Sequence, residues 1–275
     1  MITESHYNTG EAEINYAVTD NYGSPIVLLH GTANRWQTFQ PFISDLSSRW
    51  KVYAPDFRGH GRSEHTSQYG FGYYLDDTVR FLKEVVEEPA VLFGHSLGGR
   101  IATKIAAEHS ELVRAIILGD SSLNEPTPSD RMGKTFKELI KIIEDNKTYQ
   151  KIYKFLQKMN PDDFDLVYGL NRTKNLNLLD PDMLRSIADN GLNLNSPGNH
   201  FYGYHPKEHL KNIKCPVMIL QAEHGMLSVE EVQYALDTLP EVYHVKLIGV
   251  PHEFLYKPSE PLLKALNAFL EAIKD

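Results

Sequence analysis

Val91-Leu92-Phe93-Gly94-His95-Ser96-Leu97-Gly98-Gly99 sets a serine hydroxyl between two glycines, after an apolar run and before a segment with Ile101, Ile105 and Ala106 at helical spacing. Strand, sharp turn and helix in that order are the context in which Gly-x-Ser-x-Gly presents a nucleophile. The turn forces the serine into a strained backbone conformation, and glycines at 94 and 98 have no Cβ to clash within it. The hydroxyl is then expected above a sheet at a helix N-terminus, whose dipole favours negative charge. A serine so placed points to acyl transfer. That chemistry further needs a base for the hydroxyl proton, a carboxylate to orient the base, and two N–H donors for the oxyanion. Leu97, the residue after the nucleophile, supplies one donor through its backbone.

These groups need a scaffold, and the chain describes one. Apolar runs at Pro25 to Leu29, Val52 to Ala54, Ala90 to Phe93, Ala115 to Leu118, Val217 to Leu220 and Val245 to Ile248 alternate with helical patterns. That alternation predicts parallel βαβ units, and the continuous apolar character of most of these runs predicts strands covered on both faces. Helical spacing appears over Tyr73 to Glu88, Gly99 to Glu108 and Ser259 to Ile273. Glu13 to Val18 alternates after Asn8-Thr9-Gly10-Glu11, as one arm of an antiparallel hairpin, so the sheet is expected to be mixed at one edge. From Asn124 to about Lys211 the rhythm breaks into helical patterns rich in Tyr149, Tyr153, Phe155, Phe164, Tyr168, Phe201, Tyr202 and Tyr204. The expected organisation is an α/β core of residues 1–123 and 212–275, with residues 124–211 inserted as a helical cap after the sixth strand.

Together, the serine turn, Leu28-Leu29-His30-Gly31-Thr32 after the third strand, Pro55-Asp56-Phe57-Arg58-Gly59-His60-Gly61-Arg62-Ser63 after the fourth, and a histidine just before the last helix resemble the α/β-hydrolase superfamily. The resemblance covers nearly the whole length and implies a mostly parallel central sheet flanked by helices. It implies that Thr32, next after His30-Gly31, is the second oxyanion donor beside Leu97. Trp36 and Phe39 follow this loop and are candidates to wall the acyl pocket. His30 itself is expected to orient the loop by hydrogen bonds.

Twelve histidines are present, so position decides the base. His252, in Leu247-Ile248-Gly249-Val250-Pro251-His252-Glu253-Phe254, follows the last predicted strand, where the resemblance implies the catalytic histidine. Pro251 departs from the glycine of many relatives and predicts a stiffer loop. The acid has two candidates. Most relatives hold it in a turn after the seventh strand, here Gln221-Ala222-Glu223-His224-Gly225-Met226-Leu227, where Gly225 stands at the position of the expected Asp. Glu223 lies about two positions early. Asp120, ending the sixth strand in Leu118-Gly119-Asp120-Ser121, occupies an alternative location some members use, and is favoured because it needs no register shift.

The bulk numbers bound the partners. A net charge of −8 over 275 residues opposes a nucleic-acid role, which needs a basic face, and 41% hydrophobic residues are enough for a substantial core. No apolar stretch reaches membrane-spanning length, and residues 1–6 do not read as a secretory leader, so the chain is expected to be cytoplasmic. Cys215, the one cysteine, reads as a core residue at a strand entry. No metal or cofactor is implied. The expected activity is a serine hydrolase of carboxylesterase type, cleaving a small or medium apolar ester, thioester or lactone through a Ser96, His252, Asp120 acyl-enzyme mechanism. Dehalogenases and epoxide hydrolases of this resemblance carry Asp at the elbow, where this chain has Ser96. The alternatives are a carbon-carbon bond hydrolase or a cofactor-free dioxygenase on the same fold, and a non-catalytic ligand receptor.

Overall fold

Alternation along the buried strands assigns each side chain to one face of a sheet. In the strand Pro25–Leu29 every residue is buried. Val27 and Leu29 join one apolar cluster while Ile26 and Leu28 join another. Leu92 against Val91 and Phe93, Ile116 and Leu118 against Ile117, and Ile219 against Met218 and Leu220 divide in the same way. Two cores therefore sandwich the sheet, which is why these runs read as continuously apolar in sequence.

The computed structural model describes residues 1–124, 130–146, 148–159, 166–190 and 205–274. Its strands are β1 Ile2–Asn8, β2 Glu13–Thr19, β3 Pro25–Leu29, β4 Lys51–Pro55, β5 Ala90–His95, β6 Val113–Gly119, β7 Val217–His224 and β8 Val242–Pro251. They form one sheet in the order β1-β2-β4-β3-β5-β6-β7-β8. β1 pairs antiparallel with β2, and β2 with β4, while every other pairing is parallel, so the mixed edge expected from the hairpin is present.

The helices are α1 Gln40–Leu46, α2 Phe71–Phe81, α3 Leu97–Glu108, α4 Asp130–Asn146, α5 Tyr149–Met159, α6 Leu166–Asn177, α7 Pro181–Asn190, α8 Pro206–His209, α9 Val229–Thr238 and α10 Glu260–Ala272. α3 buries Leu97, Ile101, Ala102 and Ile105 on the face that holds α2, whereas α1 and α10 bury Phe42, Leu46, Leu262, Leu266 and Phe269 on the other. The helix expected over Tyr73 to Glu88 stops at Phe81 and widens into a π-helical turn, Leu82–Val86, which Glu87 ends with φ +61°.

Between β6 and β7, the described residues are helical, α4 to α8, and hold no strand. Leu139, Ile143, Ile152, Leu156, Leu176, Met183 and Leu184 of this segment are buried, and they join the cluster on the α2 and α3 side of the sheet. Glu231 of α9 pins the segment's start by accepting from the backbone N–H of Leu123 at 2.7 Å and Asn124 at 2.8 Å and from the Ser122 hydroxyl at 2.7 Å. Among the described residues no helix is long and apolar enough to cross a membrane. Phe164, Phe201, Tyr202 and Tyr204 lie outside the described residues.

Candidate active site

Parallel strands bring their C-terminal ends to one edge, and the residues singled out in the sequence follow four of those ends. Thr32 comes after β3, Ser96 after β5, Asp120 after β6 and His252 after β8.

Ser96 is held at φ +51°, ψ −113°, a conformation that costs a residue with a Cβ on the order of 1–3 kcal/mol. Its N–H donates to Gly119 O at 3.0 Å, fixing the turn to the neighbouring strand end, and α3 starts at the next residue. The glycines on either side answer close packing. A Cβ on Gly98 would fall 2.0 Å from Leu29 O, and one on Gly94 2.3 Å from the Gly98 carbonyl. Leu97 opens α3, and the first N–H groups of a helix have no intrahelical acceptor.

Asp120 is fully buried at φ +44°. Its Oδ1 accepts from the N–H of Ala222 at 3.2 Å and Leu227 at 3.3 Å, and its Oδ2 from Met226 N–H at 2.7 Å and His252 Nδ1 at 2.6 Å. Burial alone raises a carboxyl pKa, but the His252 hydrogen bond and charge, with the backbone donors, outweigh it and hold this one below its ordinary value. A carboxylate only accepts, so Nδ1 of His252 bears the proton and Nε2 is the free lone pair, the tautomer a general base needs. Burial disfavours the imidazolium of His252, while the Asp120 hydrogen bond and the charges of Glu253 and Asp120 favour it more strongly, so its pKa lies above the ordinary value.

Glu223 does not share this site. It is exposed, accepts from Gly249 N–H at 2.8 Å and pairs with Lys246 at 3.7 Å. Of the two carboxylates considered for the acid, Asp120 is the one on the histidine.

The loop carrying Thr32 is held by buried imidazoles. His30 donates from Nδ1 to Gly31 O at 2.8 Å and accepts Phe57 N–H on Nε2 at 3.0 Å. His60 donates to Arg58 O at 3.0 Å and accepts Ala33 N–H at 3.1 Å. Desolvation pushes His30 well below the ordinary value and His60 down to about 4, so both are neutral and able to accept. His95, inside the serine turn, is likewise pushed down to about 4 by burial and then by the nearby His252. Its Nε2 lies 2.9 Å from His252 O and its ring centroid 4.7 Å from that of His252.

Trp36 and Phe39 are placed otherwise than expected. Phe39 is fully buried and packs edge-on against Phe93 at 5.1 Å and Phe42 at 6.3 Å, below the sheet edge. The Trp36 indole N–H donates to Glu4 at 2.6 Å, while the backbone N–H of Trp36 donates to Asp56 at 2.7 Å. Both rings belong to the core cluster on the α1 and α10 side of the sheet, and both are among the buried residues of the short 3-10 turn Trp36–Phe39. A pocket of about 200 Å³ lies close by, lined by Gln37, Gln40 and Pro41 and, across from them, Val167, Asn171 and Tyr256.

A polar network escaped the sequence reading. Asn34 Oδ1 accepts from Arg172 Nη1 at 2.7 Å, Tyr256 OH at 2.6 Å and Asn175 Nδ2 at 3.1 Å, and Asn34 Nδ2 donates to Glu253 at 3.3 Å. Asn34, Glu253 and Tyr256 lie within a few residues of Thr32 or His252 and could have been suspected from that proximity. Arg172 and Asn175 carry no such signal, since they reach the loop from α6.

The chain is 28% identical over 161 residues to a serine hydrolase-like protein of Danio rerio, an alignment covering 51% of this chain and 48% of that protein. It is 32% identical over 119 residues to haloalkane dehalogenase 2 of Mycobacterium tuberculosis, covering 42% and 41%. The chain thus spans about half or less of the length of these relatives. A thermophilic esterase from Thermogutta terrifontis superposes with TM-score 0.78 over 99% of this chain and all of that one at 17% identity, a likeness of fold. The alpha/beta hydrolase fold family model matches residues 24–258, and the chain belongs to that family.

Proposed function

We propose that the protein is a serine hydrolase that cleaves a small or medium apolar carboxylic ester, thioester or lactone. The observation that carries this reading is the 2.6 Å contact between His252 Nδ1 and a fully buried Asp120, at the sheet edge where Ser96 is held in a strained turn. In the mechanism, His252 Nε2 takes the Ser96 proton as Oγ attacks the carbonyl carbon, and the N–H groups of Leu97 and Thr32 stabilise the oxyanion. Collapse expels the alcohol, which takes the proton from His252 and leaves an acyl-Ser96 ester. Water, deprotonated by His252, then attacks that ester, and the acid leaves as Ser96 recovers its proton. Asp120 holds the tautomer and stabilises the imidazolium without accepting the proton. The same reading takes residues 124–211 as a cap over this edge.

The test is intact mass after fluorophosphonate treatment, beside turnover of p-nitrophenyl esters, on the parent and on Ser96→Ala. One adduct on the parent, lost together with turnover in the variant, supports the reading. A folded parent that takes no adduct would move a ligand-receptor role to the front.

A second reading rests on the place of Asp120 after β6, a location the resemblance associates with some relatives of the cofactor-free dioxygenases. Oxygen uptake with a heteroaromatic substrate, or cleavage of a vinylogous diketone, in preference to simple esters would favour it or carbon-carbon hydrolysis.

A further inference from the structure

Residues Gly31 to Asn34 form a tight turn closed by Asn34 N–H donating to Gly31 O at 3.1 Å. At its tip Ala33 sits at φ +57°, the left-handed region that a residue with a Cβ keeps only when its surroundings over-determine it. Two contacts do so here. His60 Nε2 accepts the Ala33 N–H at 3.1 Å, and Arg172 Nη1 donates to the Ala33 carbonyl at 2.8 Å. The same Nη1 donates to Asn34 Oδ1 at 2.7 Å, so a single nitrogen holds consecutive residues. His60 belongs to the α/β layer, whereas Arg172 comes from α6, 139 residues along the chain.

We infer that Arg172 is a positioning residue for acyl transfer: it locks Ala33 in its left-handed conformation and so sets the N–H of the adjoining Thr32 toward the oxyanion. This role rests on the serine hydrolase reading. The turn packs directly behind the nucleophile, since a Cβ on Gly31 would fall 3.2 Å from Ser96 Cβ and 3.4 Å from Asn34 Nδ2. With Asn34 N–H tied back to Gly31 O, a turn that relaxes toward a right-handed Ala33 turns the Thr32–Ala33 peptide and forces the backbone dihedrals of Thr32 to compensate, which moves the Thr32 N–H, one peptide further back, away from where charge develops. Arg172 is kept in place by Glu253, 4.0 Å from Nη2, and the segment between β6 and β7 thereby helps build the oxyanion site.

The test is p-nitrophenyl butyrate hydrolysis by the full chain carrying Arg172→Met, Arg172→Lys, or Arg172→Met with Glu253→Gln. The last removes both charges, so that an unpaired half-buried carboxylate does not itself unfold the protein. Arg172→Met is expected to lose about 10²-fold in kcat, the scale of a displaced or missing oxyanion donor, with KM changed by less than about 3-fold. Because one nitrogen makes both bonds, Arg172→Lys is expected to recover kcat to within about 5-fold of the parent, whereas a role in shape alone would give Met and Lys similar rates. Fluorophosphonate labelling of Ser96 should slow in parallel with kcat. A folded Arg172→Met that keeps parental kcat, a loss carried by KM, or a Lys variant as slow as Met overturns the role of Arg172 while leaving Ser96-dependent turnover standing. A parent with neither turnover nor adduct fails at the earlier step, and the serine hydrolase reading falls with this one.

Discussion

The carboxylate of Asp120 fills the space in which residue 225 would carry a side chain: a Cβ built on Gly225 would lie 2.1 Å from Oδ2 and 2.4 Å from Cγ of Asp120. One seat beside His252 can thus be reached from the loop after β6 or the loop after β7, and only one loop can fill it. The chain fills it from β6 and leaves glycine opposite.

Gly225→Ala is therefore expected to push the Asp120 carboxylate off His252, lowering kcat by about 10²-fold, as small misplacements in catalytic geometry do. Moving the acid across with Asp120→Gly and Gly225→Asp together should turn over faster than Asp120→Gly alone. Glycine suits the φ of +44° at 120, so the exchange adds no backbone strain there. Steady-state kinetics on the three variants decide it, and an unimpaired Gly225→Ala counts against the shared seat.

Asp120→Asn should reduce kcat by about 10³–10⁴-fold, because an amide can donate to Nδ1 and stabilise the wrong tautomer. Glu223→Gln, whose carboxylate serves only Gly249 N–H and Lys246, should stay within about 2-fold of the parent. The reverse ranking would return the acid role to Glu223.

In the pH profile, kcat/KM should rise with pH along one limb whose midpoint lies above 6.5, since only neutral His252 can take the Ser96 proton and its pKa is raised. Asp120→Asn removes the partner that raises it and should slide the residual limb to lower pH. The stabilising side of the pair runs the other way: it is fully present below the unfolded imidazole pKa and is lost as pH rises through the folded one. A limb centred well below 6.5 in the parent would contradict the Asp120 hydrogen bond.

Thermal stability should fall as pH drops from about 6.5 toward 4. His30, His60 and His95 are neutral in the fold, with His60 and His95 at about 4, whereas the unfolded imidazoles take up protons near 6.5. Groups depressed by folding give stability above the unfolded pKa and lose it on acidification. Asp56, pushed up to about 6 by burial, and Asp76, also raised by burial, work in the opposite sense, as does the raised His252, but the three histidines are joined by the lowered carboxyls of Asp120, Glu231 and Glu253, which likewise lose stability on acidification. Differential scanning calorimetry between pH 7.5 and 4.5 measures this, and a flat melting temperature over that range would be incompatible with three buried neutral histidines.

Much of the fold was legible because parallel strands buried on both faces must be apolar throughout; β3 matches its predicted run, the other strands extend theirs by one to a few residues, and only β8, at the sheet edge, is largely exposed among the parallel strands. The strained turn at Ser96 was legible for a local reason: Gly94 and Gly98 answer contacts made within the strand-turn-helix unit and with β3 beside it. His252 was placed by its distance from the chain's last strand. What residue type alone did not give was side-chain direction, as with Trp36 and Phe39, whose types suit a pocket wall but which are buried in the core cluster on the α1 and α10 side.

The sequence by itself determined the layers and the strained serine, because each depends on residue type at fixed local spacing, and the resemblance to the α/β hydrolases narrowed the acid to two carboxylates. Only the tertiary structure decided that Asp120 takes the seat facing Gly225, and that Arg172 reaches across from α6 to hold Ala33. Those outcomes depend on which loops meet at the sheet edge. Contacts between residues more than a hundred positions apart follow from strand order and packing, and leave no mark on local spacing.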